Sequence, residues 1–214
     1  MTQVLTQPTS PTTASTPGSA PITAPAPSLA AQIADPAPLG LAGFALTTFM
    51  LSTFNAGLLP KSAEVAILGV ALFYGGIAQL LAGMWEFVKG NTFGALAFSS
   101  YGAFWMSLWY LIVHAHLAKA DAAQGVGIFL LAWTIFTLYM TVVTLRVSGL
   151  LFTLFSVLLV TFVFLTVGSF AASPTITHIG GFLGLVTAFV AWYASFAGVL
   201  NATAKRIVMP TWPR

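Results

Sequence analysis

Residues 148–169 read SGLLFTLFSVLLVTFVFLTVGS, 22 positions without one charge, whose only polar side chains are Ser and Thr. Wound as an α-helix at about 1.5 Å per residue, such a stretch extends about 33 Å, enough to cross a hydrocarbon core about 30 Å thick. A helix that is apolar on every face belongs in lipid or in the centre of a large core. Comparable windows lie on either side of it, at about 39–59, 65–88, 92–113, 126–145 and 178–200. The breaks between them carry loop chemistry: Pro60-Lys61-Ser62, Lys89-Gly90-Asn91, the stretch from His114 to Gln124, Arg146-Val147-Ser148, and Ser173-Pro174-Thr175. The faintest break is the one at Arg146, where one Arg and Gly149 alone interrupt a long apolar run.

Composition extends the reading to the whole chain. Seven basic and four acidic residues among 214, 58% apolar residues and a mean hydropathy of +0.94 leave too little charge to keep a folded surface in water. The expected fold is therefore an all-α integral membrane protein with six transmembrane helices in one bundle. A net charge of +3 with a pI near 9.5 is spread singly over loops, which excludes a nucleic-acid surface. Without Cys there is no disulfide framework or thiolate metal site, and nothing points to a cofactor. His114 and His116, two positions apart, would point to different sides of a helix, so they do not suit a metal site.

Three regions follow. Residues 1–34, uncharged and rich in Thr, Pro, Ser and Ala, are expected to be a disordered tail rather than a secretory signal, since they lack a basic start. Residues 35–204 hold the six helices, and 205–214 form a short basic tail. An even number of spans puts both ends on one face, together with Lys89, Arg146, Lys205, Arg206 and Arg214; only Lys61 and Lys119 lie on the other. Positive charge marks the cytoplasmic side, so the expectation is a multi-pass protein of the plasma (cytoplasmic) membrane with both termini inside.

Polar side chains within spans should turn toward a neighbouring helix or an aqueous path. In the first span Phe44, Thr48, Ser52 and Asn55 recur at helical spacing, with Thr47 beside them. The second carries Gly75, Gln79, Gly83 and Glu86; the fourth Thr134, Thr137, Thr141 and Thr144; the sixth Thr177, Gly181, Gly184, Ala188 and Ser195. Small residues and hydroxyls also serve close helix packing, and that reading suits the fourth and sixth stripes best. The amides of Asn55 and Gln79 suit a solute lining at least equally. Glu86 stands three residues before Lys89, the spacing of an ion pair, or else is a proton-linked carboxylate at a pore mouth. His178, at the start of the last span, has a side chain that changes charge near neutral pH, although a cap is the simpler role. Trp85, Trp105, Trp109, Trp133 and Trp192 fit span ends or helix contacts. No span commits an Arg or Lys, which disfavours a tightly held dianion and leaves a small monoanion to hydroxyls, amides and helix ends.

Ala37-Pro38-Leu39-Gly40-Leu41-Ala42-Gly43-Phe44 with Thr47-Thr48, Phe73-Tyr74-Gly75-Gly76-Ile77-Ala78-Gln79, Lys89-Gly90-Asn91-Thr92-Phe93-Gly94 and Ser100-Tyr101-Gly102 give the chain a specific likeness. In these motifs, and more thinly to Val199-Leu200-Asn201, it resembles the acetate uptake transporter family over everything after the tail. The resemblance implies a ring-shaped homohexamer in which each protomer has its own path for acetate and, in some members, succinate. It also implies a three-residue apolar constriction: Phe44, Tyr101 and a residue of the fifth span, aligned to Leu158 with Leu154 and Phe155 as alternatives. Thr47, Thr48, Asn55, Gln79 and Ser100 are the implied substrate positions, with Glu86 at the mouth. Where relatives carry Asn before Pro-Ala-Pro this chain has Asp35, and Ser52 and Phe54 replace an Asn and a His, changes that favour acetate over succinate. Two other classes are weighed beside it: a membrane enzyme using His114, His116 and Asp121, and an acetate-sensing protein. Within transport, a channel for ammonia or another small neutral solute is the alternative.

Overall fold

The computed structural model describes residues 28–115, 117, 118 and 120–213; most of the expected tail, with His116, Lys119 and Arg214, lies outside the described residues. Among the described residues six helices are long and apolar enough to cross a bilayer: α1 (Ala37–Asn55), α2 (Lys61–Lys89), α3 (Thr92–Val113), α4 (Ala122–Thr144), α5 (Gly149–Phe170) and α6 (Pro174–Ala204). Among the described residues the extended structure is one isolated bridge, Ser148 to Pro213.

Local chemistry sets the helix ends. Two prolines open α1, and just ahead of its Pro36 N-cap Asp35 Oδ1 accepts from the Ala37 amide at 3.0 Å. The helix stops at Asn55, short of the expected 59, because Gly57 takes a left-handed φ of +71° and turns Leu58 and Leu59 out to the surface. Asn91 and Ser148 cap α3 and α5 through the Gly94 and Leu151 amides, which makes the faint break at Arg146 a true helix boundary. Near its start α2 is a 3₁₀ turn (Lys61–Ile67), and then it widens into a π-helical segment (Ala71–Ala78) immediately before Gln79.

Packing joins α1 to α6, α6 to α5, α5 to α4 and α2 to both α1 and α3. Glycines of α6 permit the closest approach: a methyl group added at Gly181 would lie 2.1 Å from the Ala56 amide nitrogen, and one at Gly184 2.2 Å from Ser52 Oγ. Contact between α3 and α4 is aromatic instead, with Phe104 stacked on Phe129 at 5.6 Å and edge-on to Trp133 at 5.2 Å. Phe73, Phe87, Ile128, Val142, Phe189 and Phe196 are more than half exposed on the bundle's flanks, a surface suited to acyl chains or neighbouring protomers.

The described residues that flank the bundle at either end pack against it. Residues 29–32 form a helical turn whose end is held by Lys89, with Nζ donating to the Ala30 and Ile33 carbonyls at 2.9 and 3.0 Å. Residues after Ala204 fold back on the bundle: Asn201 holds the Val208 and Met209 amides, and Gly149 donates to the Trp212 carbonyl at 2.8 Å.

Candidate functional site

Two cavities lie end to end inside the bundle. The near cavity, of about 80 Å³, opens by Ala37, Glu86 and Asn91 on the face where α1 begins. By the measure that one water needs about 10–15 Å³, it holds on the order of five waters. The far cavity, of about 380 Å³, reaches toward Asn55 and Lys61 on the opposite face and continues into an open vestibule containing His178. Phe44 and Leu158 line both cavities. Leu154, Phe155 and Tyr101 line the near cavity.

Periodicity on α1 explains this placement. Phe44, Thr48, Ser52 and Asn55, one stripe of a 3.6-residue helix, all reach the far cavity. Phe44 leans on Tyr101 with ring centroids 5.6 Å apart, and Tyr101 is wedged in turn between Phe136 at 5.3 Å and Phe155 at 6.1 Å. The Tyr101 hydroxyl lies 2.9 Å from Thr137 Oγ1. Thr137 already donates its single proton to the Trp133 carbonyl, so Tyr101 must be the donor in this pair. Its ring is thereby locked and its proton occupied.

Gln79 and Glu86, one face of α2 below the π segment, line the near cavity at about 1% exposure each. The expected Glu86–Lys89 ion pair does not form, because Lys89 serves the 29–33 segment. Asn91 Nδ2 donates to Glu86 Oε2 at 2.9 Å, while Glu86 Oε1 and Gln79 Oε1 have no protein partner. At the far mouth Lys61 pairs with Glu64, leaving no lone fixed charge at that pair.

Two of the expected substrate positions stand elsewhere. Thr47 donates to the Gly43 carbonyl at 2.8 Å and packs where Gly75 leaves room, so it joins α1 to α2. Ser100 lines neither cavity, and its neighbour Ser99 fills the space beside Gly83. The α4 threonines bond helix carbonyls, as the packing reading has it. His114 rests edge-on to Trp109, and no group of three His, Cys, Asp or Glu among the described residues is arranged to hold a metal.

Sequence reasoning gives Trp105 only a span end or a helix contact. It is not a belt residue: it is 2% exposed and lines the far cavity with its indole nitrogen unpartnered. The available signal was its spacing, four residues after Tyr101 on the same face of α3.

An apolar neck between two polar-edged cavities, inside a six-helix membrane bundle, is the build of a channel or transporter for a small solute. Residues 18–213 match the GPR1/FUN34/yaaH family, and the chain belongs to it. It is 41% identical to the succinate-acetate/proton symporter SatP of Escherichia coli K12, over 84% of this chain and 95% of that protein. Against ammonia transport outward protein 2 of Saccharomyces cerevisiae it is 43% identical over 86% of this chain and 68% of that one. The corresponding values for acetate permease A of Emericella nidulans are 39%, 85% and 66%. The solved structure of the bacterial acetate channel SatP superposes with a TM-score of 0.78 at 41% identity, covering 84% of this chain and 99% of that one.

Proposed function

We propose that the protein carries acetate across the cytoplasmic membrane through a path within each protomer, with Phe44, Tyr101 and Leu158 as its constriction. The observation that carries this reading is the pair of cavities meeting at Phe44 and Leu158. An apolar collar of this kind tolerates a methyl group, while hydroxyls and amides on either side take over part of the carboxylate's hydration. Thr48 and Asn55 serve the far side and Gln79 the near side. Thr47 and Ser100 act through helix packing. The near cavity faces the cytoplasm together with both termini, a reading supported by the basic residues on that face, and the apolar flanks pack six protomers into a ring. Succinate, a dianion, meets no unpaired Lys or Arg along the two cavities and is carried less well than acetate. Ammonia is the second reading, favoured by the name of the yeast relative.

Glu86, buried with one carboxylate oxygen unpartnered at the near cavity, is the proposed point at which a proton gradient acts on transport. Labelled acetate uptake into proteoliposomes, with pH gradient and voltage varied independently, tests both claims. Uptake well above protein-free liposomes is the expected result, and uptake equal to them would contradict transport. In Glu86→Gln the response to an inward proton gradient at zero voltage is expected to fall about tenfold while voltage-driven flux persists; an unchanged response would remove Glu86 from the coupling.

A further inference from the structure

Residues 205–213 line neither cavity, yet they are held in place by specific bonds. Asn201 Oδ1 accepts from the Val208 and Met209 amides at 2.7 and 2.9 Å, and its Nδ2 donates to the Met209 carbonyl at 2.8 Å. Tyr193 donates to the Pro210 carbonyl at 3.0 Å, and the Trp212 carbonyl accepts from the Gly149 amide at the start of α5. Two non-glycine residues with left-handed backbones, Lys205 at φ +53° and Trp212 at φ +47°, bracket this fold-back. Such conformations are costly for side chains with a Cβ. What they present outward is nonetheless apolar: Ile207 is 79% exposed and Trp212 57%.

Unpaired cations gather at the same end of the bundle. Lys61 is matched by Glu64, and Lys89 by the Ala30 and Ile33 carbonyls. Among the described residues, the exposed side chains of Arg146, Lys205 and Arg206 make neither an ion pair nor a hydrogen bond. Asp35 lines a groove beside Ala202 and Thr203 but does not pair with Lys205. Arg146 stands two residues before Ser148, which bridges to Pro213, so the fold-back joins the loop of Arg146 to the segment of Lys205 and Arg206.

Depth in the membrane indicates what covers this surface. At about 1.5 Å per residue the 31 residues of α6 extend about 46 Å, past a hydrocarbon core of about 30 Å and into the headgroup layer. With 22 residues α5 extends about 33 Å, so it begins near the core boundary. The fold-back therefore runs from the headgroup layer at Lys205 and Arg206 down to the edge of the acyl chains at Trp212. Cations outermost and an indole innermost complement an anionic phospholipid in both charge and polarity. An interface with a neighbouring protomer would instead bury three unpaired cations, which is costly.

We infer that residues 205–213, with Arg146, form a docking site for an anionic phospholipid of the near-face leaflet. Arg146, Lys205 and Arg206 meet its phosphate, and Ile207 and Trp212 lie along the upper part of an acyl chain. This goes beyond the transport reading and stands whatever solute is carried.

For the test, the full chain is reconstituted in phosphatidylcholine with a rising fraction of either phosphatidylglycerol or phosphatidylcholine brominated high on its acyl chains. Bromine quenches the tryptophans it touches. The Trp212 signal is the difference between the wild-type protein and Trp212→Phe, which leaves the backbone bond to Gly149 in place. Brominated phosphatidylglycerol should quench Trp212 half-maximally at a mole fraction about tenfold or more below that of brominated phosphatidylcholine, as three cations at an anionic surface require. In the triple variant Arg146→Gln, Lys205→Gln, Arg206→Gln the two lipids should become equivalent. Equal quenching by both lipids in the wild-type protein would overturn the site, as would a preference that survives loss of all three cations. Quenching of Trp212 by neither lipid would overturn it too, assigning the surface to a neighbouring protomer.

Discussion

Phe44→Ala is expected to raise propionate and butyrate flux relative to acetate about tenfold or more in proteoliposomes. Phe44 is the ring shared by both cavities, facing Leu158, and Tyr101 supports it from the near side at 5.6 Å. An apolar pocket separates ligands that differ by one methylene by about 1–3 kcal/mol, or roughly 10–200-fold. That discrimination comes from side chains that cannot retreat, and Phe44 cannot: it is 5% exposed, within a core that includes Leu41, Tyr101 and Leu158. Since truncating a core Phe costs about 3–5 kcal/mol of stability, Phe44→Leu and Leu158→Ala provide milder openings of the same neck. All three should relax chain-length selectivity, and retained selectivity in folded variants would remove the neck from its proposed role.

Gly181→Ala should have the largest effect on the fold. The added methyl would lie 2.1 Å from Ala56 N and 2.5 Å from the Asn55 carbonyl carbon, both of them backbone atoms that cannot swing aside. Overpacking of this sort costs about 1–3 kcal/mol and at times more, and here it acts where α1 ends at the far cavity. At about 2–4 °C per kcal/mol for a chain of this size, the thermal midpoint in detergent should fall by roughly 2–12 °C. Gly69→Ala is the control, because nothing lies within 4 Å of its added methyl; there the midpoint should hold or rise slightly, as Ala favours a helix. Equal midpoints for the two variants would contradict the close α1–α6 approach.

The six spans were legible because lipid demands long apolar windows and the loops were marked by Pro, Gly and Lys. The α1 stripe was legible for a similar reason, since Phe44, Thr48, Ser52 and Asn55 keep one helical phase. Thr47 and Thr48 look alike in a sequence, and only packing against Gly75 separates the one that bonds its own helix from the one that does not. Nothing in a sequence announces the π segment before Gln79, because its wider turn follows from tertiary fit rather than residue type. Spacing alone offers Lys89 as one of two readings for Glu86; the 29–33 carbonyls that capture Lys89 come from a segment whose composition suggests no structure. The place of Trp105 beside a cavity is hidden in the sequence because tryptophans in membrane proteins usually sit at interfaces.

The chain contains no cysteine, so single cysteines can be read without background. Ala97→Cys lines the near cavity and Thr48→Cys the far one. With a small, charged, membrane-impermeant thiol reagent applied to oriented vesicles, Ala97→Cys should react from the cytoplasmic side only and Thr48→Cys from the opposite side only. Acetate should slow the second reaction. Reaction of both from one face, or of neither from any, would contradict two water-filled cavities divided by Phe44, Tyr101 and Leu158.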